Sequence, residues 1–246
     1  MSDDKPKFLI KSGKRLDGRK PDEVRPMEMT VGVIPNADGS AMVVCGKTKV
    51  LAAVYGPREL HPRHQVLNHK ARVRVKYNML SFSVEDRKRP GPGRREVEIS
   101  KVLSEALERV VLTDRFPMCA IDVFVTVIQA DASTRVAGLN AASMALADAG
   151  VPMRDLVVSL SFGKSYDEKG AGHMVVDLEK EEDNWGMGDV AYAVAPALNE
   201  ILLLQMDGDL TPEEFAKGRQ MADEAAKAIY DMQKQALKAP YQEGSK

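Results

Sequence analysis

The order of the predicted strands and helices constrains the fold of this chain more than any other feature. Four β-like runs precede a helical stripe in the first half: residues 31–35, 40–45, 48–55, 72–80 and 96–112. The second half has five more such runs and two helices: residues 120–129, 133–149, 156–162, 172–178, 190–195, 201–206 and 212 to about 237. Since several antiparallel strands are followed by a long helix twice, we predict an α+β fold with a duplicated strand-then-helix unit in one compact body.

The predicted domain organisation has three parts. Residues 1–30 are polar and contain the turn Asp17-Gly-Arg19, so we interpret them as an N-terminal extension. Residues 31–238 form the α+β domain, with halves at about 31–115 and 119–238. Residues 239–246, which begin just before Pro240, are expected to form a loose tail.

Composition indicates a soluble globular protein. Hydrophobic residues make up 44% of the chain and charged residues 29%, which excludes a disordered chain. The two cysteines, Cys45 and Cys119, lie in apolar runs and cannot form a disulfide framework, so a reducing, cytoplasmic location is expected. We expect no association with a membrane, because no apolar run reaches 18 residues and the first residues resemble no signal peptide.

Opposite charges are concentrated in two segments, although the net charge is only −1. Residues 58–95 hold eleven Lys or Arg against three acids, a difference of +8, together with three histidines. Residues 167–189 hold eight acids against two lysines, a difference of −6. This distribution suits a polyanion bound along a basic track that leads to a metal-assisted site, although two solvated surfaces would look the same in sequence.

A candidate anion site lies where the apolar run 121–128 ends and the small-residue helix begins. The first turn of that helix contains Ser133, Thr134 and Arg135. Free backbone N–H groups, the positive end of the helix dipole, two hydroxyls and a guanidinium all favour phosphate oxygens. An ordinary N-cap uses the same residue types, so both interpretations remain open from these residues.

Two aspartates in the acidic segment form a candidate metal site. Asp183 and Asp189 flank the stretch that holds Trp185, Gly186 and Gly188. The glycines permit a tight turn that would bring the two carboxylates together. Such a pair suits Mg²⁺ or Mn²⁺, and one member could also act as a general acid. A solvated acidic turn anchored by the tryptophan is the alternative.

Two groups of basic residues are candidates for contact with a phosphodiester backbone. Arg94 and Arg95 follow Pro-Gly-Pro-Gly at the start of a predicted helix, where the helix dipole disfavours cations unless an anion is held there. His61 and Arg63 lie in a loop after the strand that ends near Tyr55. Solvated loop residues are the alternative interpretation of both groups.

Taken together, these motifs resemble the phosphorolytic RNases, a superfamily that includes RNase PH, polynucleotide phosphorylase and the ring subunits of the exosome. Among them the chain resembles in particular the catalytic RNase PH-like subunits of the archaeal exosome. Thr134 stands where many members carry serine, so the hydroxyl is kept. The motifs that carry the resemblance are Leu16-Asp-Gly-Arg19, Val54-Tyr-Gly-Pro57, His61-Pro-Arg-His64, Arg87-Lys88, Gly93-Arg-Arg-Glu96, Asp131-Ala-Ser-Thr-Arg135, Ala149-Gly-Val-Pro-Met-Arg-Asp155 and Glu182-Asp-Asn-Trp-Gly-Met-Gly-Asp189.

The resemblance implies an RNase PH-type fold, similar to domain 2 of ribosomal protein S5, and a role for each candidate residue. Members degrade RNA from the 3′ end with inorganic phosphate as nucleophile, release nucleoside diphosphates, and can add tails in reverse. By this likeness phosphate is the co-substrate and Mg²⁺ or Mn²⁺ the cofactor. The implied roles are phosphate binding by Ser133, Thr134 and Arg135, RNA binding by His61, Arg63, Arg94 and Arg95, and metal binding by Asp183 and Asp189, with Asp189 also the general acid.

The implied partners are single-stranded RNA, a homologous non-catalytic subunit that alternates with this one in a hexameric ring, and RNA-binding cap proteins. Two alternatives remain at this point. The chain could be a non-catalytic RNA-binding ring subunit, although the acidic pair would then have no purpose. It could also be a homohexameric RNase PH of bacterial type that trims tRNA 3′ ends.

Overall fold

The computed structural model describes residues 6–243 of the chain. The first five residues of the predicted N-terminal extension and the last three of the predicted tail therefore lie outside the described residues. None of the described helices combines the length and the hydropathy that crossing a membrane requires.

Residues 6–243 form eleven strands and four α-helices. The strands are β1 (Ile10–Lys11), β2 (Lys14–Arg15), β3 (Met27–Val31), β4 (Gly39–Cys45), β5 (Thr48–Glu59), β6 (Arg72–Met79), β7 (Cys119–Gln129), β8 (Val158–Tyr166), β9 (Gly172–Val176), β10 (Gly188–Ala195) and β11 (Glu200–Gly208). The helices are α1 (Arg94–Val110), α2 (Thr134–Asp148), α3 (Lys180–Trp185) and α4 (Pro212–Glu243).

The strands form two main sheets and a small hairpin of β1 with β2. The first sheet has the order β3-β4-β5-β7-β6 and the second the order β11-β10-β8-β9. All neighbours are antiparallel except β6 and β7, which run parallel. The prediction of antiparallel pairing was wrong at this one place. The reason is that α1 lies between the two strands and serves as the crossover connection that parallel strands require.

The first sheet also corrects the predicted boundary between the halves. A boundary at residues 115–119 assigned β7 to the second half, but β7 lies between β5 and β6 in the first sheet. Four apolar side chains on one face of β7 are fully buried, as expected for a central strand that packs one face on the core: Ile121, Val123, Val125 and Val127. The chain therefore passes to the second sheet only after β7, through α2.

Helix α2 packs against both sheets and forms the centre of the molecule. It contacts β4, β5 and β7 of the first sheet and β8 of the second, and twelve of its 15 residues are buried. A helix that is buried all round must have small or apolar residues on every face. At Gly138 a Cβ would come within 3.0 Å of Val125, so this position holds the helix close to β7. The first turn of α2 consequently lies between the two sheets.

The sequence suggested an N-terminal extension at residues 1–30, but the described part of it, residues 6–30, belongs to the folded body. They contribute β1, β2 and most of β3, and Arg15 and Arg25 are buried. Arg25 donates to both carboxylate oxygens of Asp177, at 2.9 Å from Nε and 2.7 Å from Nη2, and to the carbonyl of Asp131 at 2.7 Å. This segment is therefore an integral part of the structure, because a buried arginine needs partners of this kind.

The predicted tail is also corrected within the described residues. Helix α4 continues through Pro240 to Glu243 instead of ending near residue 237. Proline removes one backbone donor and so weakens a helix. Residues 238–242 are exposed, so this end of the helix lies at the surface, where backbone groups without a helical partner can be hydrated.

We expect Arg25→Met to destabilise the chain by about 3–5 kcal/mol, because it removes both guanidinium hydrogen bonds of the buried Asp177 carboxylate and leaves it a longer contact of 3.4 Å with Arg19. Arg58→Met is the matched control. It removes a pair with Asp38 in which both side chains are about half exposed, and such pairs contribute about 1 kcal/mol or less. Urea unfolding of both variants measures the difference, and equal losses would contradict the structural role of Arg25.

The same pair predicts a dependence of stability on pH. Burial opposes ionisation of Asp177, but the hydrogen bonds and charge of Arg25 outweigh it and lower the pKa of the carboxyl. The contribution of the pair is complete above the unfolded-state pKa and is lost as the pH falls through the lower folded-state pKa. The stability gap between wild type and Arg25→Met should therefore narrow across that acidic range.

Candidate active site

A polar pocket of about 480 Å³ opens at the first turn of α2, between the two sheets. It brings together six residues that the sequence had singled out: Arg95, Ser133, Thr134, Arg135, Asp183 and Asp189. The other three candidates, Arg94, His61 and Arg63, do not line it. The pocket therefore combines the predicted anion site with the predicted carboxylate pair.

The backbone at the start of α2 is shaped to leave donors free. Ala132 and Ser133 both have left-handed conformations, with φ of 58° and 54°, which are uncommon for residues other than glycine. Ser133 is the N-cap residue, but its side chain makes no cap hydrogen bond. The first helical bond joins the Ala137 N–H to the Ser133 carbonyl at 3.0 Å. The N–H groups of residues 134–136 have no acceptor among the described residues, so an anion can take that place.

The two hydroxyls of this turn have different surroundings. The Ser133 hydroxyl lies 2.8 Å from the Ser161 hydroxyl and 3.0 Å from the Leu178 carbonyl. It therefore ties the turn to the second sheet. The Thr134 hydroxyl accepts a hydrogen bond of 2.8 Å from the phenol of Tyr77, on β6 of the first sheet. Neither hydroxyl caps the backbone of α2, so the alternative of an ordinary N-cap is excluded.

Arg135 is held at the pocket by residues of two other elements. Its Nη2 lies 3.0 Å from the Glu98 carboxylate of α1, and its Nη1 donates to the side-chain oxygen of Gln205 on β11. Gln205 in turn donates to Glu98 at 2.8 Å. Glu98 and Gln205 were not among the residues predicted from the sequence, because no local pattern relates α1 and β11 to the start of α2.

The two aspartates reach the pocket from either side of a tight turn. Asp183 lies in α3, a short helix that the sequence did not predict, and Asp189 lies at the start of β10. Burial raises the pKa of Asp183, and nearby arginines, Arg95 first among them, oppose that rise. Burial also raises the pKa of Asp189, and the negative charges of Asp183 and Asp207 add to it. The two carboxylates are therefore close enough to repel each other.

This pair fits a hard divalent cation, since a cation would relieve the repulsion. Within residues 6–243 no cluster of three or more His, Cys, Asp or Glu side chains forms a complete metal cage. Magnesium does not require one, because it usually keeps several waters and takes one or two carboxylates plus phosphate oxygens. Asp183 and Asp189 are thus suited to a metal that the substrate helps to bind.

Helix α3 owes its position to a buried arginine. Arg15 donates to the neighbour of Asp183, Glu182, through Nε at 2.7 Å and through Nη2, and both side chains are fully buried. It also donates to the carbonyls of Val176 and Asp177. Two of the eight acids in the acidic segment, Asp177 and Glu182, are therefore structural partners of arginines and not part of a solvated acidic surface.

The loop that contains His61 and Arg63 is exposed and lies far from the pocket. It follows the end of β5, which pairs with the start of β7 at Glu59 and Cys119, whereas the anion-binding turn follows the end of β7. The eleven residues of β7 are separated by ten steps of about 3.3 Å, which put its two ends about 33 Å apart. Arg94, the first residue of α1, is also exposed. These residues can contact only parts of a ligand that extend outside the pocket, or a ligand held by another subunit.

Comparison with known proteins identifies the family. The model of the 3′ exoribonuclease family, domain 1, matches residues 23–152, and the model of domain 2 matches residues 155–225. The crystal structure of rice Rrp46 superimposes with a TM-score of 0.79 at 26% identity, over 91% of this chain and all of that one. This confirms the predicted fold class.

Curated relatives are similar over almost their whole length. The exosome complex component Rrp41 of Pyrococcus furiosus is 56% identical over 235 residues, which is 96% of this chain and 92% of that protein. The exosome complex component Rrp41 of Methanopyrus kandleri is 52% identical over 240 residues, or 97% and 98% of the two chains. With both domains matched in order and relatives of this similarity, the chain belongs to the 3′ exoribonuclease family of RNase PH type.

Proposed function

We propose that this chain is the catalytic RNase PH-like subunit of an exosome, which shortens RNA from the 3′ end by phosphorolysis and can add tails in the reverse direction. The observation that carries the proposal is the single pocket in which uncapped N–H groups, Thr134 and Arg135 face the carboxylate pair of Asp183 and Asp189. A phosphate and the end of an RNA strand need both halves of such a site.

In this proposal the first turn of α2 binds inorganic phosphate, the co-substrate. The backbone N–H groups and the Arg135 guanidinium neutralise its charge, and the Thr134 hydroxyl donates to one oxygen. Ser133 has a supporting role, because its hydroxyl is engaged with Leu178 and Ser161. Another phosphate oxygen then bonds to the phosphorus of the last phosphodiester as the bond from that phosphorus to the preceding 3′ oxygen breaks. The released product is a nucleoside diphosphate.

The carboxylate pair serves the leaving group. Asp189 donates the proton that the 3′ oxygen takes up, and Asp183 and Asp189 together would hold Mg²⁺ or Mn²⁺. When bound, such an ion neutralises the charge that develops on the phosphate oxygens. Positioning and neutralisation of charge make up most of the catalysis in transfers of this type. Arg95, which lines the same pocket, binds the terminal phosphodiester.

Single-stranded RNA extends from the pocket to the remaining basic residues. Arg94 adjoins Arg95 and is suited to the next phosphate. His61 and Arg63 lie about 33 Å away along β7, so they contact either a distant part of the strand or RNA bound by a neighbouring subunit.

A ring with a homologous non-catalytic subunit, capped by RNA-binding proteins, is the proposed assembly. Strand β11 is at the edge of its sheet, and its Ile201, Leu204 and Met206 are about half exposed. An exposed apolar strand edge of this kind is typical of a surface that binds another protein subunit. The relatives are exosome complex components, which favours an exosome over a homohexameric RNase PH of bacterial type. The intact pocket favours a catalytic over a non-catalytic subunit.

The reaction type is tested with RNA, Mg²⁺ and the assembled complex. We expect nucleoside diphosphates to be released from the 3′ end only when phosphate is present, because the nucleophile binds at the start of α2. Chromatography of the products distinguishes diphosphates from monophosphates. Monophosphates released at the same rate without phosphate would show that water is the nucleophile and would refute the proposal.

Asp189→Asn should reduce the rate at least ~10²-fold, the usual loss for a group that transfers a proton in the reaction. RNA binding should persist, because a negative charge near the phosphates has been removed. Asp209→Asn, on an exposed acid outside the pocket, is the control and should keep the wild-type rate. Near-full activity of Asp189→Asn would exclude this residue from the mechanism.

The phosphate site and the RNA-binding residues should separate in titrations. Arg135→Ala should raise the phosphate concentration for half-maximal rate and leave RNA affinity nearly unchanged. Arg94→Ala should weaken RNA binding and reduce the slope of log affinity against log salt by about 0.7, the value for one contact to single strands. Arg219→Ala, on α4, is the control for both measurements. Exchanged effects of Arg135→Ala and Arg94→Ala would show that the two assignments are reversed.

A further inference from the structure

Tyr77 is a buried tyrosine of β6 whose hydroxyl reaches the first turn of α2. Its side chain is only 3% exposed, and its phenol oxygen lies 2.8 Å from Thr134 Oγ1. Gly138 lies one helical turn after Thr134, on the same face of α2. A Cβ at Gly138 would be 3.5 Å from the Tyr77 ring, so the glycine leaves room for the ring to lie along the helix and reach Thr134.

The direction of this hydrogen bond determines where the Thr134 proton points. The phenol is the donor, and the threonine oxygen accepts. Burial raises the pKa of Tyr77, although the bond to Thr134 opposes this, so the phenol remains protonated near neutral pH. A threonine hydroxyl has one proton of its own, and within the described residues no acceptor takes it. Because Thr134 lines the pocket, its proton is free for a ligand there.

Ser133 shows the opposite arrangement. The Leu178 N–H donates to the Ser161 hydroxyl at 3.0 Å, so the Ser161 hydroxyl can donate its own hydrogen bond to Ser133 Oγ. Ser133 then donates to the Leu178 carbonyl at 3.0 Å. Its proton is used within this closed set of bonds, which leaves Thr134 as the hydroxyl donor for an anion in the pocket.

We infer that Tyr77 is a positioning residue for the phosphate nucleophile, because its phenol occupies the acceptor side of the Thr134 hydroxyl and directs the Thr134 proton toward the bound phosphate. Tyr77 itself does not touch the phosphate. This inference rests on the proposed phosphorolytic function and adds a residue from the first sheet to the phosphate site.

Tyr77→Phe tests the inference, since it removes the hydroxyl and keeps the ring. In the assembled complex we expect the KM for phosphate to rise about three- to tenfold, the effect of one modest hydrogen bond, with the KM for RNA unchanged. Tyr192→Phe is the matched control. Tyr192 is also buried and donates to a side chain, Asp223 at 2.7 Å, but it lies on β10 and does not line the pocket. Its KM for phosphate should equal that of wild type.

A double-mutant cycle separates positioning from general loosening of the structure. Thr134→Val removes the hydroxyl through which Tyr77 is inferred to act, and it should itself raise the KM for phosphate. In that background Tyr77→Phe should have no further effect on this KM. An equal, independent effect in both backgrounds would overturn the inference, as would a parallel rise in the KM for RNA.

The wild-type enzyme distinguishes failure of the inference from failure of the proposed function. If wild type depends on phosphate and Tyr77→Phe keeps the wild-type KM for phosphate, the inference alone is overturned. If wild type degrades RNA equally well without phosphate, the phosphorolytic function fails and the inference fails with it.

Discussion

The contact of Arg25 with Asp177 is the interaction on which the rest of the site depends. The arginine comes from the N-terminal segment, the aspartate follows β9 of the second sheet, and a third bond reaches the carbonyl of Asp131 in the turn before α2. One buried cation thus joins three segments that are distant in sequence. Its desolvation is costly and is offset only when each donor has a partner. The geometry of the anion-binding turn is therefore tied to the packing of the two sheets.

Arg15 fixes the position of the carboxylate pair, as Arg25 fixes the turn before α2. It fixes Glu182, and with it α3 and the adjacent Asp183. Both arginines belong to residues 1–30, which the sequence had suggested were only an extension. The two halves of the pocket are consequently held by the same short segment, and a reaction that depends on positioning gains from this arrangement.

Features that lie within a short stretch of sequence could be predicted, whereas contacts that only packing brings together could not. The period of apolar residues gave α1, α2 and nearly all strands of both sheets, because burial on one face leaves a pattern in the chain. The anion site and the carboxylate pair were found because each lies within a few residues. The parallel pairing of β6, the roles of Glu98 and Gln205, and the contact of Tyr77 with Thr134 depend on which sheet faces which, and no short window contains that information. Tyr77 in particular shares the buried face of β6 with valines and looks like any other core residue.

The positive charge of residues 58–95 is a further property that the sequence alone does not fix, because some of these cations are paired in the fold. Four of its eleven cations are paired with carboxylates in the described structure: Arg58, Lys70, Arg74 and Lys88. The other seven form no salt bridge with any described residue, so their charge is available to a polyanion: Arg63, Arg72, Lys76, Arg87, Arg89, Arg94 and Arg95. The surplus of positive charge counted along the sequence overstates the electrostatic potential at the surface, because four of the cations are neutralised by carboxylates of the same chain. The strength of the basic track is therefore set by the seven cations that the described fold leaves without a carboxylate partner, and Arg95 is the one among them that lines the pocket.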